Sequence, residues 1–169
     1  MKKLIENFNK YLIQEAELNS YIEGGMIRLY HYSKANQEEL EIDPARFADK
    51  KTRSSYSSRE YDVSTVPRTF FYVDVGQREK GLTVTPNLYS LDIPANRVYD
   101  LRTDTEGYKE KIRHPVYGLR KGVEWDELLL TLREKYDGVF YGGGFDVVSL
   151  FVPKKAKRLS DEEREALER

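Results

Sequence analysis

The amino-acid sequence predicts an α+β fold with a strand-rich core, and three observations predict it. Short runs of β-branched and aromatic residues recur at 28–33, 67–73, 87–93, 98–101, 139–141 and 147–152. Strands outnumber helices, and the helical patterns cluster early and late, which argues against a doubly wound sheet. Finally, Gly142-Gly143-Gly144 separates two β-branched runs, so a hairpin joins them.

The first segment, from Lys2 to about Leu18, sets Leu4, Phe8, Tyr11, Leu12 and Glu15 at helical spacing and leaves Lys and Glu on the remaining face. This predicts an amphipathic helix. Asn19-Ser20 and Gly24-Gly25 break the pattern, so residues 1–25 read as helix and linker ahead of a domain at 26–159. In the strand at 28–33, alternation sends Leu29, His31 and Ser33 to one face and Arg28, Tyr30 and Tyr32 to the other. Asn36 then caps an expected short helix through Gln37, Glu38, Glu39 and Leu40, which Asp43-Pro44 ends. Residues 48–66 are polar, with hardly an aliphatic side chain, and predict a loop of unusual length for a compact domain. The strand at 67–73 follows, and Gly81 and Pro86 punctuate the connection to 87–93, which Pro94 separates from 98–101. Residues 122–136 predict a helix whose buried stripe is Val123, Trp125, Leu128, Leu129 and Leu132. Asp137-Gly138 turns the chain into the hairpin, and Ser160 with Glu163 forms a capping box that opens a charged helix over 160–169.

The 169 residues fit one compact domain. Lys+Arg 28 against Asp+Glu 29 leaves a formal net charge of -1, so no global field recommends nucleic acid as a partner. The absence of cysteine excludes a disulfide framework, a thiolate nucleophile and a Cys-based zinc site, and two histidines argue against a His-rich metal centre. No metal is expected. No apolar run reaches the length of a membrane span, and the N-terminal residues lack a secretory pattern, so a soluble, cytoplasmic protein is expected. Neither GxGxxG nor a Walker sequence occurs, and three successive glycines are more often a turn than a phosphate cradle.

Chemistry concentrates around His31. An ionisable ring on a buried strand, with the Ser33 hydroxyl two residues on and pointing the same way, is a ligand-binding candidate. The competing reading is a core histidine satisfied by a backbone carbonyl. In the polar stretch, Lys51, Arg53 and Arg59 interleave with tyrosines, a composition able to hold phosphates and stack a base or nicotinamide ring.

Taken in order, Tyr30-His31-Tyr32-Ser33, Thr69-Phe70-Phe71-Tyr72, Leu88-Tyr89-Ser90-Leu91-Asp92-Ile93, Val98-Tyr99-Asp100-Leu101, Tyr136-Asp137-Gly138-Val139-Phe140-Tyr141 and Phe151-Val152-Pro153 resemble the ADP-ribosyltransferase superfamily. The similarity spans about residues 27–157 and points to the diphtheria-toxin-like side, with its histidine, tyrosine and acid, and to the ADP-ribosyltransferase-like domains of phage and mobile-element polyvalent proteins. The resemblance implies a split antiparallel sheet with peripheral helices, NAD as substrate, and transfer of a single ADP-ribose to a protein or nucleic-acid acceptor. It implies that His31 and Ser33 orient the ribose and that Tyr72 stacks on nicotinamide, with Phe71 in register if the strand slides by one. The acid is expected at Asp146, although counting back from Phe151 lands on Val147; Glu79 is the substitute. Arg53 and Arg68 are candidates for the pyrophosphate. A non-catalytic interaction module and an NAD glycohydrolase are the alternatives, and the phage resemblance implies the cytoplasm of a bacterial host.

Overall fold

A computed structural model describes residues 18–48, 66–75, 86–112, 123–141 and 146–169. The expected helix from Lys2 to Leu18, most of the polar stretch at 48–66 and the triple glycine therefore lie outside the described residues. The strands are β1 (Ile22–Glu23), β2 (Met26–Ser33), β3 (Glu39–Ile42), β4 (Thr69–Tyr72), β5 (Asn87–Pro94), β6 (Val98–Asp100), β7 (Gly138–Tyr141), β8 (Val147–Leu150) and β9 (Lys154–Arg158). The helices are α1 (Tyr108–Ile112), α2 (Val123–Lys135) and α3 (Asp161–Glu168). All nine strands belong to one sheet in the order β3-β9-β5-β2-β4-β8-β7-β6, with β1 paired to β2. The α+β class is borne out. The ladders are antiparallel apart from β6 with β7, whose parallel pairing needs the long crossover that α1 and α2 occupy.

Period-two alternation gives the sheet two apolar faces. Ile27, Leu29, Phe71, Tyr89, Leu91, Ile93, Phe140, Val148 and Leu150 lie in the core of the first face. On the second face the core divides. Leu128, Leu129 and Leu132 of α2 pack over Tyr99, Val139 and Phe151 at one end, and Tyr30, Val75 and Leu88 gather at the other. The expected stripe of α2 is present in Leu128, Leu129 and Leu132, with Trp125 packed against the same cluster.

The helix expected at Gln37 to Leu40 is not there; Glu39–Ile42 is a strand paired with β9. Leu40 and Ile42 turn toward the first core while Glu39 and Glu41 are exposed, so the segment carries period-two alternation that tertiary pairing uses. Opposite them stand Lys157 and Lys155, and Lys155 Nζ lies 3.2 Å from Glu39. Asn36, instead of capping a helix, accepts a hydrogen bond from the Arg158 guanidinium. The strand β9 itself is so polar that only Ala156 among its residues is buried.

Candidate functional site at the β2–β4 seam

The centre of the sheet contains a discontinuity. Strand β2 pairs with β5 along its whole length, from Met26 opposite Pro94 to Ser33 opposite Asn87, but bridges β4 only at Tyr30 and Tyr72. Beyond that bridge β4 keeps its register with β8, while no second bridge joins β2 to β4 among the described residues. His31 lies beside that bridge. Its Nδ1 lies 3.0 Å from the Phe70 carbonyl oxygen, and its ring sits 5.3 Å from the Phe71 ring at a 49° tilt. A carbonyl only accepts, so Nδ1 carries the proton, and in the neutral ring Nε2 is left as an acceptor. Burial pushes the imidazole below its usual value, outweighing the carbonyl bond that favours the charged form. The ring is accordingly neutral near pH 7. The expected alternative, a histidine satisfied by a backbone carbonyl, thus holds for one nitrogen and says nothing against the other.

Ser33 lies on the His31 face, and its Oγ accepts from the Ala35 amide at 3.1 Å. This closes a turn at the end of β2 and leaves the hydroxyl proton for a second partner. Asn87 and Tyr89 fix the same turn by donating to the Ala35 carbonyl, at 2.6 and 2.9 Å.

Tyr72 requires a correction. It stands directly opposite Tyr30, and antiparallel partners point to the same side, so Tyr72 lies on the second face with Tyr30 and Tyr32, away from His31. Its ring lies 6.2 Å from that of Tyr32. The aromatic neighbour of His31 is Phe71. Arg68 is also on the second face: it is buried, it donates to the Val66 carbonyl at 3.1 Å and to the Tyr141 hydroxyl at 3.4 Å, and it lies 5.2 Å over the Phe70 ring. It is not beside the His31 ring. Arg53 and Glu79 lie outside the described residues.

Asp146 shares the first face with His31, because it is two residues before Val148, the partner of Phe71. The carboxylate is buried, ion-paired with Arg102 and hydrogen-bonded by the Tyr21 hydroxyl. Arg102 in turn lies 4.6 Å over the Phe140 ring. Burial, then the hydrogen bond and charge of Asp146, hold the Tyr21 phenol well above its usual value, so it stays a donor. Arg102 and Tyr21 were not singled out in the sequence. They come from segments 44 and 125 positions away from Asp146 in the chain, and no local pattern joins them.

Among the described residues no group of three or more His, Cys, Asp or Glu side chains is placed to hold a metal ion, and no helix is long and apolar enough to cross a membrane. Searches against protein-family models, curated proteins and solved structures match this chain to none of them.

Proposed function

We propose that the β2–β4 seam binds NAD on the His31 face and that the protein transfers ADP-ribose from it to an acceptor. The observation that carries this reading is the state of His31: a neutral ring, fixed by Phe70, with an acceptor nitrogen at a break in the sheet and an aromatic side chain beside it. A ribose hydroxyl is a donor suited to Nε2, and Phe71, buried in the core, backs the imidazole that would hold it. In the transfer, the bond between ribose C1′ and the pyridinium nitrogen breaks, its electron pair leaves with neutral nicotinamide, and an acceptor nucleophile bonds to C1′ and releases its proton to solvent. The residues above contribute orientation and exclusion of water.

A second reading, an interaction module that binds a nucleotide without turnover, is favoured by one observation. Asp146, the expected acid, is engaged by Arg102 and Tyr21, and a compensated carboxylate is a poor stabiliser of positive charge developing on the ribose. Calorimetric titration of NAD and chromatographic detection of released nicotinamide separate the readings. His31→Ala is expected to weaken NAD binding about fivefold or more in a folded variant, since a buried hydrogen bond contributes about 1–3 kcal/mol. Unchanged affinity would remove His31 from the site. Binding without nicotinamide release, with any candidate acceptor, would establish the module.

A further inference from the structure

We propose that α3 is a displaceable strap over Tyr32 beside the seam, docked through Arg164 and Glu168 and hinged at Leu159–Ser160. The inference goes beyond the reading of the His31 face and holds whatever ligand that face takes. Tyr32 donates to Glu168 Oε1 at 2.9 Å, and the Arg164 guanidinium lies 5.6 Å over the Tyr32 ring. Arg164 also donates to Glu168 at 3.0 Å and to the Pro86 carbonyl oxygen. By contrast no residue of α3 is buried, and Leu167, its one large apolar side chain, is 37 % exposed. The helix is therefore held by the polar contacts of Arg164 and Glu168, whose side chains are 18 % and 14 % exposed, and contributes no buried apolar side chain.

The attachment ends sharply. Leu159 belongs to the sheet: its amide donates to the Leu88 carbonyl at 2.9 Å, and its side chain packs against the cluster of Tyr30, Val75 and Leu88. One residue later Ser160 is extended, and its capping box with Glu163 satisfies the first turn of α3 from within the helix itself. The helix thus carries its own N-terminal cap when it leaves the sheet. What it uncovers is Tyr32, on the strand of His31, whose ring lies 6.2 Å from that of Tyr72.

Nitration by tetranitromethane, mapped by peptide mass spectrometry, tests the strap, with hydrogen exchange of residues 161–168 read in parallel. Arg164→Ala/Glu168→Ala is expected to nitrate Tyr32 at least about fivefold faster than the parent, as loss of a weak local closure predicts. Tyr89, which is fully buried in the core, is expected to remain unmodified in both. Equal rates in parent and variant would overturn the proposal. Acceleration of Tyr89 together with Tyr32 would overturn it equally, because α3 would then be an integral part of the fold.

Discussion

An imidazole whose Nδ1 proton is held by the Phe70 carbonyl offers Nε2 to whatever enters the seam, and its burial has a thermodynamic consequence. The folded ring titrates below the value of 6.5 that it has in the unfolded chain. Between those values the unfolded state binds more protons, so His31 lowers stability as pH falls through about 6.5 and has no effect on the slope well above it. Urea unfolding between about pH 5.5 and 8 is expected to show the parent losing stability relative to His31→Gln as the solution is acidified. A pH-independent difference would mean that the ring titrates normally in the fold. Asp146 poses the opposite case, a charge stabilised by a partner. With side-chain exposures of 12 % for Arg102 and 7 % for Asp146, this pair is buried. Arg102→Met should therefore cost about 3–5 kcal/mol by stranding the carboxylate. Adding Asp146→Asn should recover part of that loss, and chemical denaturation of the two variants reads the difference. Of these groups, His31 and Ser33 were legible in the sequence, because strand alternation alone puts them on one face. Tyr72 was not, because its face depends on which residue of β4 meets Tyr30, a register that two residues of similar size, Phe71 and Tyr72, leave open.

The strands at the centre of the sheet were legible for a similar reason: β2, β4, β5 and β8 are dense in apolar and aromatic residues, as their sequences MIRLYHYS, TFFY, NLYSLDIP and VVSL show. The strands β3 and β9 were not, since ELEI and KKAKR carry mostly charge and owe their conformation to each other, with Leu40 opposite Ala156 on the covered side. The β7–β8 hairpin adds a constraint invisible in any propensity. A Cβ at Gly138 would meet the Ser149 carbonyl oxygen at 2.7 Å and Leu150 Cδ2 at 2.6 Å. The first is backbone in the neighbouring strand and cannot rotate away. Gly138→Ala should therefore destabilise the protein by about 1–3 kcal/mol through strain in the ladder. A thermal midpoint equal to that of the parent would show that the hairpin opens without cost.

The nine strands form one sheet by connectivity but two by pairing. On one side β3, β9, β5, β2 and β1 are laddered together, and on the other β4, β8, β7 and β6, while Tyr30 opposite Tyr72 is the only bridge between the halves among the described residues. The first core crosses the break, with Leu29 and Ile27 of β2 in the same cluster as Phe71 and Val148, so apolar packing rather than backbone pairing joins the halves. Apolar packing is non-directional and tolerates small rotations that a ladder of hydrogen bonds forbids. A sheet built this way should open at the seam before it unfolds elsewhere. Native-state hydrogen exchange is expected to show the β2–β5 and β4–β8 ladders exchanging near the global limit, while the β4-facing amides of β2 exchange at least about tenfold faster through a local opening. NAD in excess should slow the seam amides selectively, by the factor that its occupancy sets, and leave the two ladders shifted only by the gain in global stability. Uniform protection across all three interfaces would make the sheet a single rigid layer, and the seam would then lose its standing as the place where a flat ligand enters.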